Sequence, residues 1–167
     1  MEGSCWTCWH GAQAIAGETI ICKTSKCFFG VQEVEYLGHI VSHEGVKVDP
    51  NKIKSIKKWK VPTTIKQLWG FLKLIGYYRK FFNNYGRIAP LLTTLLKKDA
   101  FSWTPEATKA FEHLKEAMFQ APVLVKVDFT KNIILECDAS GNGIGVVLMQ
   151  EARPISFESY PIKGKCL

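Results

Sequence analysis

A chain of 167 residues that is 47% hydrophobic, 22% charged and carries a net charge of +7 has ample apolar content for a packed core and too little charge for wholesale disorder. It holds no run near the ~18 apolar residues of a membrane helix and no basic-then-apolar secretory leader at its start. The expected setting is therefore intracellular, cytoplasmic or nuclear, with no membrane partner and the six cysteines reduced. The positive balance favours a polyanionic partner.

In chain order, residues 1–17 show neither helical nor strand periodicity and stay an unassigned leader. Cys5, Cys8, His10, Cys22 and Cys27 lack a recognised zinc-finger spacing, so no metal is expected there. From Cys27 the text changes to "CFFGVQEVEYLGHIVSHEGVKVD", β-formers alternating around turn signals at Gly30 and residues 42–45, which predicts short antiparallel strands. Asp49-Pro50 is a helix start, Asp as N-cap and Pro at the first helical position. Ile53, Ile56 and Trp59 form its apolar stripe, and Pro62 stops it. Thr64 and Gln67 make a capping box for a second helix carrying Ile65, Leu68, Leu72 and Ile75 at helical spacing.

Residues 83–86 punctuate, and Ile88, Leu91, Leu92, Leu95 and Leu96 predict a short helix closed by Lys97-Lys98. Thr104-Pro105 repeats the cap-plus-proline start for a helix whose stripe is Ala107, Ala110, Phe111, Leu114 and Met118, ending by Pro122. Four strands are expected after it, at 123–127, 133–138, 144–149 and 154–159.

Charge is strongly segregated. Residues 47–98 hold 13 Lys/Arg and one acid, Asp49, a local net charge of +12, while the rest of the chain is net −5. Eight aromatics are interleaved with these cations, notably in "GYYRKFFNNY". Cationic side chains neutralise phosphates with release of counterions, and aromatic faces stack on bases. Lys52, Lys54, Lys57, Lys58, Lys66, Tyr77, Tyr78, Arg79 and Lys80 are the candidate nucleic-acid contacts. Trp59, Trp69, Phe71 and Phe81, taken singly, suit a core.

The other candidate site is "ILECDASGNGIGVVLMQ", residues 134–150. Strand alternation puts Ile134, Glu136 and Asp138 on one face, with Ile133, Leu135 and Cys137 on the other. The residues 140–143 supply a tight hairpin turn. The spacing G-x-G-x-G, followed by β-type residues, does not fit a phosphate-cradling loop.

From Ser25 onward about 140 residues resemble, in order, the pol polyprotein of gypsy-like LTR retrotransposons. "SKCFFGVQEVEYLGHIVSHEGVKVDPNKIKSIKKW" resembles the end of the reverse-transcriptase palm with its primer-grip hairpin, running into the thumb. "FLKLIGYYRKFFNNYGRIAPLL" resembles the family's thumb signature, in which the position of Lys73 is normally glycine. "FSWTPEATKAFEHLKEAMFQAPVLVKVDF" resembles the tether into the ribonuclease H domain, and "ILECDASGNGIGVVLMQEARPISFESYPIKGK" its first three strands. The resemblance implies an α+β fold in five parts: the leader 1–17, a palm remnant 18–49, a small helical thumb 50–98, a tether 99–125 and an incomplete ribonuclease H-like sheet 126–167.

It further implies that Tyr36, Leu37, Gly38 and His39 form the primer grip, and that Asp138 is the first metal-binding carboxylate of the ribonuclease H site. In the complete family enzyme Mg²⁺ or Mn²⁺, held by several carboxylates, activates water for phosphodiester cleavage. The later carboxylates of that site, and the paired aspartates of the polymerase palm, have no counterpart in the sequence. The expected chain is thus a reverse transcriptase/ribonuclease H segment that binds an RNA–DNA hybrid or duplex, holds no metal itself, is inactive alone, and pairs with other pol polyprotein segments if with any protein. A domesticated non-catalytic nucleic-acid-binding module and an inert relic of such an element are the alternatives.

Overall fold

The computed structural model describes residues 27–140 and 143–162, which leaves the leader, Cys5, Cys8, His10, Cys22 and residues 141–142 of the expected turn outside the described residues. The chain divides after Val34, and the unit from Glu35 onward carries both candidate sites.

Strands β1 (Glu33–Tyr36), β2 (His39–Ser42) and β3 (Val46–Val48) make a sheet in that order, with β2 and β3 antiparallel and Ile40 opposite Lys47. The β1–β2 turn has two central residues, Leu37 at φ 50° and Gly38 at φ 77°. This is the positive-φ pair that matches the twist of a two-residue hairpin. Leucine is strained there, because its Cβ crowds the following carbonyl.

Helix α1 (Pro50–Lys57) starts as the sequence predicts: the Asp49 carboxylate accepts from the Asn51 N–H at 2.8 Å. In α2 (Ile65–Tyr77) the Thr64 hydroxyl accepts from Gln67 N at 3.3 Å, while the Gln67 side chain accepts from Thr63 N at 2.9 Å. A 3₁₀ turn at Arg79–Phe81 leads to α3 (Tyr85–Thr93), which continues as a 3₁₀ turn over Thr94–Leu96. The sequence predicts this helix from Ile88. It begins three residues earlier because Asn84, at φ 64°, turns the chain at its N-cap, a conformation asparagine tolerates. Helix α4 (Pro105–Phe119) is capped by Thr104, whose hydroxyl accepts from Ala107 N at 3.2 Å.

One core joins these helices. Leu68, Phe71, Leu72 and Ile75 of α2 meet Phe111, Leu114 and Met118 of α4 and Leu92 of α3. The rings of Phe71 and Phe111 lie 4.4 Å apart, and Trp103 packs edge-on to Phe111 at 6.0 Å. Close-packed aromatic pairs of this kind add to area burial.

The second sheet, β4 (Ile134–Ser140), β5 (Gly143–Gln150) and β6 (Arg153–Pro161), is antiparallel in that order, with Asp138 opposite Gly145 and Gly145 opposite Ser159. The strand expected over 123–127 does not form. Leu124 exchanges both backbone hydrogen bonds with Val46 of β3, whereas Val125 N–H donates to Pro154 O of β6 at 2.8 Å. A segment whose successive partners belong to different sheets cannot build a ladder with either, so it stitches the two together. Arg153 adds a second stitch by donating to Glu44 O at 2.8 Å. The sheet also lies directly on α3: Gly86 N–H donates to Ser159 Oγ at 2.7 Å, and a Cβ on Gly86 would stand 2.5 Å from Ser159 O. Only glycine permits that approach.

Candidate nucleic-acid interface and the Asp138 cavity

The β1–β2 turn is held from below by the helical layer. The hydroxyl of Tyr77 donates to Leu37 O at 2.9 Å and that of Tyr78 to Gly38 O at 3.0 Å. Between them the His39 ring stacks on Tyr77 and on Phe81, each at 5.3 Å, and meets Tyr78 edge-on at 5.2 Å. Its Nδ1 is buried without a hydrogen-bond partner, and burial lowers the His39 pKa from 6.5. Burial likewise raises the Tyr78 phenol, with the Tyr77, Asp49 and Glu35 charges adding to the rise. The tip itself projects: Tyr36 is 64% and Leu37 67% exposed.

This arrangement divides the residues singled out by sequence. Tyr78 is 1% exposed and spends both ring and hydroxyl on the turn, so it has no face left for a ligand. Tyr77 is half-exposed. Lys52, Lys54, Lys57, Lys58, Lys66, Arg79 and Lys80 are all exposed, on α1, α2, the residue after α1 and the 3₁₀ turn that follows α2. Lys57 lies over the Phe119 ring at 4.8 Å and keeps its charge at the surface. The α1 lysines Lys54 and Lys57 fall in its last turn, where the helix dipole favours them.

Asp138 lies on β4, which is exposed along its whole length. It shares a cavity of about 300 Å³ with Glu136 and Ser140 on the same strand face, and with Asn83, Asn84 and Arg87 from the start of α3. Two glycines of β5 lie next to these last residues. A Cβ on Gly145 would lie 3.6 Å from Asn83 Oδ1, and one on Gly143 would lie 3.6 Å from Arg87 Cγ and clash with Tyr160 O at 2.8 Å. Gly143 is thus required by the close approach of the Tyr160 carbonyl on β6, while Gly145 has room for a Cβ. Sequence reading missed Asn83, Asn84 and Arg87, because an Asn-Asn pair before a glycine carries the same signal as any turn. Lys80 belongs elsewhere, beside Leu135, Val146 and Leu148 on another cavity wall.

Among the described residues no group of three or more His, Cys, Asp or Glu could hold a metal ion. The cavity is lined by two carboxylates, Glu136 and Asp138, and one guanidinium, Arg87. Magnesium demands near-octahedral oxygen ligation, and a pair of ions needs converging carboxylates. The described residues of this cavity do not fit that centre. No described helix is long and apolar enough to cross a membrane.

Known proteins share both the sequence and this architecture. Residues 103–165 match the family described as the RNase H-like domain found in reverse transcriptase. The chain is 42% identical over 147 residues to the retrovirus-related Pol polyprotein from transposon 297 of Drosophila melanogaster, covering 87% of this chain and 14% of that protein. It is 36% identical over 151 residues to the transposon Tf2-3 polyprotein of Schizosaccharomyces pombe, covering 90% and 11% respectively. The chain thus spans about an eighth of the length of these relatives. Its fold is that of the foamy viral protease-reverse transcriptase solved in complex with RNA/DNA hybrid, with a TM-score of 0.72 at 23% identity over 79% of this chain and 19% of that one. The α+β architecture and the sequence matches agree: this chain belongs to the retrotransposon Pol polyproteins and corresponds to the junction at which reverse transcriptase runs into its RNase H-like domain.

Proposed function

We propose that this chain grips the backbone of a nucleic-acid duplex or RNA–DNA hybrid through its helical part, residues 50–98 acting as a thumb and 99–125 as a tether, and that by itself it neither copies nor cleaves. One observation carries the reading: all twelve Lys and Arg between residues 50 and 98 are exposed, and that stretch contains no acid. Ion pairs among the described residues include Lys115 with Glu112, and Lys131 with Asp128 and Glu151, outside the block. Twelve like charges held on one fold repel one another unless an anion lies among them. A phosphate chain is such an anion, and reading it needs no base contact. The projecting turn at Leu37 would meet the same strand as a primer grip. Arg87, beside Asp138, would take a phosphate in the cavity of the second sheet.

Binding of labelled duplex DNA and RNA–DNA hybrid across a salt series tests this. Affinity is expected to fall steeply with salt and to depend little on base sequence. Replacing Lys54, Lys57 and Lys58 by Gln, which keeps their aliphatic stems, is expected to reduce the slope of log K against log salt by up to ~2.7 on duplex DNA, ~0.9 for each phosphate no longer neutralised. An unchanged slope would show those lysines to be merely solvated. Hybrid cleavage in Mg²⁺ or Mn²⁺, abolished by Asp138→Asn, would overturn the inactivity.

A further inference from the structure

The strand face that carries Glu136 and Asp138 is met from the helical side by the start of α3. Asp138 pairs with Gly145 and Ser140 with Gly143 across the β4–β5 ladder, and directly opposed residues project to the same side of a sheet. A Cβ at position 145 would lie 3.6 Å from Asn83 Oδ1, and one at 143 the same 3.6 Å from Arg87 Cγ. Asn83 and Arg87 therefore stand over the positions next to Asp138 and Ser140 on their own face. The helix is held there. Gly86 N–H donates to Ser159 Oγ at 2.7 Å, and the β6 backbone leaves no room for a side chain at residue 86. Phe157 of the same strand packs against the helical core.

The two sides of this cavity are chemical opposites. The sheet supplies acceptors, the Glu136 and Asp138 carboxylates. The helix supplies donors. Asn83 Oδ1 already accepts from Asn84 N–H at 2.8 Å, which leaves its NH₂ group for the cavity, and the Arg87 guanidinium has only N–H groups to offer. The carboxylates also stand by the N-terminal end of α3, which has no side-chain cap and carries the positive end of the helix dipole. A divalent ion needs oxygen ligands converging from several sides. Here one side is taken by positive charge. We propose that Arg87 is the resident counter-cation of the Asp138 cavity, so that docking of α3 on the second sheet keeps divalent ions off Asp138 and Glu136. The family resemblance implies the opposite, a metal at Asp138. A phosphate drawn to Arg87 would take that charge from the carboxylates. The inference nonetheless does not rest on the backbone-binding reading, and its test uses no nucleic acid.

Mn²⁺ titration of the isotope-labelled full chain in low-salt buffer, read as paramagnetic broadening of the backbone amide resonances of Asp138 and Gly145, tests this. Arg87→Gln removes one positive charge and keeps an aliphatic stem. It is expected to lower the Mn²⁺ concentration at half-broadening about five-fold, the scale of one like charge taken from beside a divalent ion near a surface. Arg87→Glu, which adds an oxygen ligand as well, should lower it further. Arg87→Lys keeps the charge and should behave as the parent, which guards against a folding effect. Lys97→Gln takes the same charge from outside the cavity and should change the value less than about two-fold. Adding Asp138→Asn to Arg87→Gln should remove the gain. Equal values in the parent and Arg87→Gln overturn the proposal. So does a gain that survives Asp138→Asn, or one that Arg87→Lys or Lys97→Gln reproduces in full.

Discussion

One methyl group added at Gly86 should push the second sheet away from the helices. The new Cβ would lie 2.5 Å from Ser159 O, 2.6 Å from Ser159 C and 2.9 Å from Tyr160 N. All three are backbone atoms in a paired strand, so none can rotate aside. Restoring ordinary contact requires a shift on the order of 1 Å between α3 and β6. Overpacking of that kind costs ~1–3 kcal/mol. The hydrogen bond from Gly86 N–H to Ser159 Oγ, now 2.7 Å, would be lost for a further ~1 kcal/mol. The helix propensity gained by replacing glycine offsets at most ~1 kcal/mol. The net is a loss of roughly 2 kcal/mol.

Gly70, inside α2, is the control: the only neighbour its Cβ would meet is the Trp59 ring at 3.9 Å, an ordinary separation. Gly70→Ala should therefore gain up to ~1 kcal/mol. Urea titration reads both. With a slope of ~2 kcal/mol/M, the midpoint should fall by ~1 M for Gly86→Ala and rise by up to ~0.5 M for Gly70→Ala. A Gly86→Ala protein as stable as the parent would refute the close approach of α3 to β6, and with it the placing of Arg87 beside Asp138.

Two other perturbations report on single groups. Gln150 is 2% exposed; its Nε2 donates to Asp128 O at 2.8 Å and Lys131 O at 3.2 Å, and its Oε1 accepts from Asp128 N at 3.0 Å. Gln150→Leu should cost about 2 kcal/mol through the backbone groups left unpaired, and a urea midpoint within error of the parent would show the loop to be held otherwise. His39, its pKa lowered by burial, is preferentially neutral in the folded chain, so its contribution is fully present above pH ~6.5 and is lost as pH falls below that value. Thermal melts should show this decline flattened in His39→Phe, which keeps the stack but cannot titrate; an unaltered pH profile would place the decline in other groups.

Local chemistry in the chain sufficed for three of the helix starts and for the face of Asp138. Asp49-Pro50, Thr64 with Gln67, and Thr104-Pro105 encode their helix starts within a few residues, because each cap satisfies N–H groups of the next turn. Period-two alternation likewise put Glu136 and Asp138 on one strand face, and the density of lysine between residues 50 and 98 needed no structure to be seen. Tertiary structure decided what depended on distant neighbours. Tyr77 and Tyr78 are adjacent and alike in sequence, yet one is half-exposed and the other buried, since burial is set by where the β1–β2 turn lands 40 residues away. Gly143 reads as turn chemistry until the Tyr160 carbonyl of β6 closes on it. The stretch 123–127 has strand composition but no ladder, because its hydrogen-bond partners lie in two different sheets. Propensity and capping act within a turn or two of chain, whereas close approach is a property of pairs that only folding brings together.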